Sequence, residues 1–303
     1  MDRLQAMQIF VAVADAQGFA GAARRLGISP PAVTRAVNDL ENHLGVRLLT
    51  RTTRVVRLTE SGARHADDCR RILAELAEAD ASVTGMHGAP RGPLVVTAPV
   101  LFGAMHVTPI VTEYLRRYPE VQAHCLFLDR VVHMLDEGVD VAVRIGELPD
   151  SSLQAVRVGQ VRRVLCASPA YLAGHGTPQR PEDLEAHTLV RSGGLASEHG
   201  WTMRQDGRLR VVKLQPRMFT TTNDSALAAA ESGFGVTRLL SYQVAQAVRQ
   251  GRLRIVLAEH EPPPLPVHVV HREGRHATQR VRAFLDLAIE RLRALDADAQ
   301  RLD

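Results

Sequence analysis

Between Phe19 and Leu40 the polar and apolar positions describe two short helices around a tight turn. Val33, Ala36, Val37 and Leu40 recur at i, i+3, i+4 and i+7, an uncharged stripe along one side of a helix. Pro31, Thr34, Arg35 and Asn38 keep the same spacing on the opposite, exposed side. Ser29 is a good N-cap for this helix, and Pro30 at its first position gives up only an N–H that would be unpaired anyway. The helix before it runs from about Gly21 to Leu26 and stops at Gly27, where a chain leaves through the left-handed region at little steric cost. Upstream, Leu4, Met7, Phe10, Val11 and Ala14 predict a further helix whose apolar face supports the pair. Downstream, Leu44 to Thr59 reads as two short strands around a turn rich in Arg and Thr.

Three helices and a wing make a winged helix-turn-helix, with residues 19–38 as its central pair. The outer face of the second helix offers a hydroxyl, an amide and a guanidinium, groups that bond base edges and phosphates in a major groove. Arg51, Thr53 and Arg54 at the wing tip suit phosphate or minor-groove contact. A helical pair alone fits a solvated hairpin equally well, so the preceding helix and the wing decide for DNA, and the charge balance supports them. Residues 1–59 hold eight Arg against four acids; of the chain's 37 basic and 33 acidic residues this leaves 29 against 29 for residues 60–303. The excess positive charge therefore sits on the proposed DNA module, where phosphate neutralisation requires it.

Four segments carry a family resemblance. Met-Asp-Arg-Leu-Gln-Ala-Met-Gln-Ile-Phe at the start, Ala-Ala-Arg-Arg-Leu-Gly-Ile-Ser at residues 22–29, Leu-Gly-Val-Arg-Leu-Leu-Thr-Arg-Thr-Thr-Arg at 44–54 and Leu-Thr-Glu-Ser-Gly at 58–62 resemble LysR-type transcriptional regulators. Ala20 and Gly21 depart from the pattern, standing where that family usually has Ser and Ala. A missing cap and a helical glycine both predict a less rigid second helix.

Glu60 to about Met86 is free of proline and rich in Ala, Arg, Glu and Leu, with Thr59 able to cap it. Ala66, Cys69, Leu73, Leu76 and Val83 fall near heptad a and d positions, a narrow seam that wants a partner helix. The resemblance makes this the linker through which two subunits pair; packing against the chain's own C-terminal domain is the alternative. His87 to Pro93 ends the helix as a hinge. The division expected is residues 1–59 for DNA binding, 60–88 for the linker and 89–303 for an effector-binding domain.

From Leu94 onward strand-like and helix-like segments alternate, which predicts an α/β fold with largely parallel sheets. Crossings near residues 160 and 266 give two periplasmic-binding-protein-like subdomains around a cleft, the first about 91–161 and 267–303, the second about 162–266. Asp140 to Gly146, Thr222-Asn223-Asp224 and Gly233 to Val236 look similar to the effector domain of the same family.

Ligands of parallel α/β sheets bind at strand carboxyl ends beside helix N-termini. That rule selects Pro99, Val100 and Leu101, then Asp129, Arg144 and Asn223. Helix N–H groups and nearby Arg favour a carboxylate or another anion. Arg238 stands where the family usually has a small or apolar residue, and is expected either to face the cleft or to lie exposed at a sheet edge.

Composition adds exclusions. The 303 residues are 45% hydrophobic and 23% charged, enough for a sizeable core. No run approaches the roughly 18 apolar residues of a membrane span, and the N-terminus lacks the form of a signal peptide. Three unpaired cysteines, Cys69, Cys125 and Cys166, fit a reducing cytoplasm. No nucleophile elbow, phosphate loop or metal-ligand spacing is present, so no catalytic residue, metal or cofactor is expected. The sequence thus predicts a cytoplasmic, effector-responsive, sequence-specific transcriptional regulator. Its partners would be an interrupted palindrome of duplex DNA, a small anionic effector, RNA polymerase and further copies of itself, as a dimer or tetramer. A constitutive DNA binder and an enzyme tethered to DNA are the alternatives.

Overall fold

The computed structural model describes residues 2–51, 56–83, 89–149, 153–193, 200–272 and 277–300. The first helix, α1, spans Arg3–Ala16, capped by the Asp2 carboxylate on the N–H groups of Leu4 and Gln5. Its buried arc centres on Phe10 and Val13; Met7 belongs to it as predicted, but Leu4 is rotated out and 40% exposed. Helix α2, Phe19–Leu26, begins two residues before the expected start, with Gly18 as its N-cap. Ala20 therefore lies inside the helix, and no cap is missing there.

Gly21 has a packing reason. A Cβ at this position would sit 2.9 Å from the Ala16 Cβ, so α2 approaches the end of α1 through the missing methyl. Gly21→Ala is accordingly expected to lower the melting temperature of the N-terminal domain, although propensity alone favours Ala by about 0.8–1.0 kcal/mol. Thermal unfolding followed by circular dichroism checks the sign.

Gly27 leaves α2 at φ 66°, and α3, Pro30–Leu44, follows with Val33, Val37 and Leu40 fully buried. Strands β1, Leu49–Arg51, and β2, Val56–Leu58, pair antiparallel with Leu49 opposite Leu58. Helix α4, Glu60–Val83, starts under the Thr59 hydroxyl, which accepts the Gly62 N–H at 2.9 Å. A Cβ on Gly62 would fall 1.9 Å from the Leu48 carbonyl oxygen, so only glycine lets α4 lie against that backbone. The seam of α4 is partly spent at home: Ala66 and Cys69 are fully buried in the N-terminal core, with Ile72 and Leu73 packed on it. Leu76 remains 38% exposed.

The C-terminal region begins with β3, Gly92–Ala98, and runs straight into a helical stretch. That stretch is α5, Val100–Phe102, a π-helical turn Gly103–Val107, and α6, Thr108–Arg117. It starts directly after Pro99, so Val100 and Leu101 are helical rather than loop residues. Then come β4 (Val121–Phe127), β5 (Val141–Ile145), β6 (Gln154–Val161) and β7 (Arg163–Ala167). Between β4 and β5, residues 131–137 form a set of hydrogen-bonded turns, closed by Gly138 at φ 63°. Helix α7 (Pro169–His175), a 3-10 turn (Pro181–Ala186), β8 (Leu189–Ser192), β9 (Gly200–Gln205), β10 (Arg208–Lys213) and β11 (Met218–Thr220) follow. The chain ends through α8 (Asn223–Glu231), β12 (Val236–Leu240), α9 (Ser241–Arg249), β13 (Arg254–Val256), β14 (Leu265–His271) and α10 (Gln279–Gln300).

Two five-stranded sheets result, ordered β4-β3-β5-β14-β6 and β11-β8-β12-β7-β13. Each is mixed, not largely parallel: β14 returns antiparallel to β5 and β6, and β7 lies antiparallel to β12 and β13. The antiparallel half arises where the chain crosses between sheets, because the strands on either side of each crossing enter from the opposite end. Arg162 is the first crossing, between β6 and β7; Glu261 lies in the second, and the two side chains meet at 3.7 Å. The Leu94, Val96, Tyr114, Val143, Val269 and Phe284 side chains fill the main core of the first sheet. The second sheet is covered on both faces, by Tyr171, Trp201 and Met203 on one and by Ala226, Val244 and Ala247 on the other.

Burial separates the three thiols. It pushes Cys69 up to about 11 and Cys166 to about 12; it raises Cys125 too, but that residue lies exposed on the edge strand β4. Iodoacetamide at pH 8 is expected to alkylate Cys125 well before the other two, read by peptide mass spectrometry.

Candidate DNA interface and effector cleft

The head of α3 leaves its polar groups outward. Pro30 and Pro31 lack N–H groups, and the Ala32 and Val33 N–H groups bond the Ser29 carbonyl at 3.0 and 3.1 Å. The Ser29 residue is the N-cap as predicted, but its hydroxyl makes no cap bond. Pro31 and Arg35 are exposed, Thr34 and Asn38 half-buried. The Thr34 hydroxyl donates to the Pro30 carbonyl at 3.0 Å, so toward a ligand it presents lone pairs. Asp39 shares the outer face, a negative neighbour that sequence reading left out of account. Arg51 ends β1; Thr53 and Arg54 lie outside the described residues.

Glu41 fixes the wing to this helix. It is 3% exposed and accepts the Leu48 and Leu49 N–H groups through Oε1 at 2.8 and 3.0 Å, while Arg47 reaches Oε2 at 3.0 Å. Counting it only as one of four acids missed this role. The signal available was an acid on the α3 flank between the apolar stripe and a wing with unpaired N–H groups.

At the subdomain junction, Phe102 and His106 from the α5 stretch meet Tyr242 at the head of α9. Ring centroids lie 4.8 Å apart for Phe102–His106, 5.2 Å for Phe102–Tyr242 and 5.6 Å for His106–Tyr242. Burial lowers the His106 pKa and is the main cause holding Tyr242 near 12. The charges of Asp129 and Asp224 also raise Tyr242, so both carboxylates act on this junction. None of these aromatics was selected from sequence, because their spacing is that of ordinary core residues.

The predicted cleft residues divide. The Val100 N–H, beyond Pro99 as helix cap, donates to Asp129 Oδ1 at 3.0 Å, so these residues come together with Leu101. Asn223 heads α8 and its Oδ1 accepts the Ser192 hydroxyl at 2.7 Å. Arg144 is tied to the Val132 carbonyl at 2.5 Å. Arg238 is not at a sheet edge, since β12 is the central strand of its sheet; it stands 5.4 Å over the Trp201 ring, with the Thr202 carbonyl at 3.4 Å. Trp201 fills the adjacent core and offers the guanidinium a π-face.

A winged helix-turn-helix joined by a long helix to a two-lobed α/β domain defines a DNA-binding regulator with a ligand-binding region. The chain belongs to the LysR family of transcriptional regulators. Residues 4–63 match the bacterial regulatory helix-turn-helix protein, lysR family, and residues 87–293 the LysR substrate binding domain. An HTH-type transcriptional repressor of Pseudomonas aeruginosa is 35% identical over 96% of this chain and 92% of its own. The structure of CrgA, a LysR-type regulator from Neisseria meningitidis, superposes with a TM-score of 0.61 at 31% identity, covering 95% of this chain and 98% of that one. Full-length AphB of Vibrio cholerae gives 0.61 at 26% identity, covering 95% and 99%. The family and these relatives are regulators, not enzymes. Among the described residues no helix is long and apolar enough to cross a membrane.

Proposed function

We propose that the chain is a cytoplasmic, sequence-specific regulator that reads an interrupted palindrome as a dimer or tetramer and answers to a small anionic effector. The observation that carries the DNA half is the outer face of α3, where Arg35 is exposed and makes no bond or ion pair among the described residues. Arg35, Thr34 and Asn38 read bases, Ser29 and Pro31 seat the helix, and Arg51, Thr53 and Arg54 hold phosphates. Residues 1–59, 60–88 and 89–303 serve as DNA module, linker and effector domain. Two-fold pairing through α4, where Leu76 stays exposed, suits two half-sites. RNA polymerase is the further partner of the assembled complex.

The effector reading rests on the junction of Pro99, Val100, Leu101 and Asp129 with the head of α8 at Asn223. An effector carboxylate competes with Asp129 for the Val100 N–H, and displacing Asp129 changes the charge beside Tyr242. Such a ligand shifts the lobes only if it binds the two poses with different affinity. Arg144 and Arg238 act indirectly in this reading, as supports of the neighbouring backbone.

A thermal-shift screen of the chain with carboxylates, aromatic acids and amino acids tests it. A specific stabiliser at about 100 times its dissociation constant adds roughly 2.7 kcal/mol. Recovery of the hit unchanged supports the sensor; its consumption would revive an enzyme, and silence would favour a constitutive binder. In parallel, Arg54→Ala is expected to weaken binding almost uniformly across DNA sequences and to reduce the salt slope by about one. An unchanged slope removes Arg54 from the phosphate contacts.

A further inference from the structure

The first sheet carries a row of three basic groups, of which only Arg144 has a role above, as a support of the backbone beside the cleft. In the register of β14, His268 stands opposite Arg144 of β5 on one side and Arg157 of β6 on the other. Cross-strand partners share a face, so all three side chains leave the sheet on the same side. It is the side of Ala142 and Val270, which pack with Val132 and Met134, and not the side of the main core. Neighbouring strands lie about 4.8 Å apart, so the row spans about 10 Å between its outer Cα atoms, within reach of two arginines converging above a histidine.

Among the described residues the row lacks a paired counter-ion. Arg144 bonds only the Val132 carbonyl, Arg157 only the Gln160 side-chain oxygen, and neither has a carboxylate partner among the described residues. Among the described residues Glu137 is the acid whose charge acts on Arg144, and Arg130 engages it through both terminal guanidinium nitrogens, at 2.8 and 2.6 Å. The His268 Nδ1 is buried without any hydrogen-bond partner. Burial also disfavours the charged form of Arg144. A half-buried cation, Arg144, and an orphaned ring nitrogen are costly unless an acceptor completes them.

We propose that Arg144, His268 and Arg157 form an oxyanion site on this face of the first sheet, taking a phosphate group outside the cleft. Three donor-bearing groups in a row address three oxygens, which a tetrahedral oxyanion supplies and a planar carboxylate does not. The anion comes either as free phosphate or as the phosphomonoester of a small metabolite.

Calorimetric titration of the full chain with inorganic phosphate, against chloride at matched ionic strength, tests the site. Saturable binding is expected, weakened about tenfold or more by Arg157→Gln and by His268→Gln. Arg157 is exposed on the edge strand β6, so its replacement leaves the fold intact. Arg35→Ala is expected to retain the binding, which separates this site from the DNA face. Glycerol 3-phosphate binding more tightly than phosphate identifies a phosphomonoester site; the reverse order identifies free phosphate. Absence of saturable binding by both, equal binding of acetate, or indifference to both substitutions overturns the proposal. Arg157 and His268 lie outside the proposed effector contacts, so that failure leaves the cleft reading standing, and failure of the cleft leaves this site standing.

Discussion

Arg35→Ala is expected to cost the chain about 1–3 kcal/mol of operator binding, roughly five- to 150-fold, while leaving its stability unchanged. The side chain is exposed on α3 and contributes nothing to the core, so its loss has no folding consequence. Its planar fork can take both acceptors of a guanine edge, a contact a lysine does not reproduce. The loss should therefore fall on one base position of each half-site, with binding to unrelated DNA reduced far less. Competition binding on single-base operator variants distinguishes this from a phosphate contact, whose removal weakens all sequences alike.

Glu41→Ala is expected to lower the stability of the N-terminal domain by about 3 kcal/mol and to weaken binding to every DNA sequence. The substitution strands the Leu48 and Leu49 N–H groups in a buried place and releases Arg47. Without that anchor the wing is no longer held at a fixed angle to α3. Glu41→Gln keeps an oxygen for both N–H groups, so it should recover more than half of the lost stability. Denaturant unfolding of the three proteins measures this; equal losses for Ala and Gln would show that the charge, rather than the acceptor, matters.

The winged domain was legible in sequence because its determinants are local. Gly27, Pro30 and the stripe from Val33 to Leu40 act within a few residues, and period and caps report them directly. What escaped depends on contacts distant in sequence. Gly21 looked like a weak point until Ala16 was seen against it, and α4 looked unpartnered until Ala66 and Cys69 were found in the N-terminal core. In the C-terminal region β6 carries Gln154, Arg157, Gly159 and Gln160 on an edge, a pattern without the apolar run of a buried strand. Strand direction was equally hidden, since the sequence of β14 does not say which neighbour it joins. Arg238 shows the same limit: its oddness in β12 was visible, but Trp201, which stacks beneath it, lies on another strand.

Selection of bound fragments from random duplex DNA tests the central claim most directly. The chain should enrich an interrupted palindrome whose half-sites lie about one helical turn, 10–10.5 base pairs, or a multiple of it apart. Arg35→Ala should relax the preference at one position in each half. Enrichment of no motif, or an identical motif from the Arg35→Ala chain, would contradict recognition by the outer face of α3.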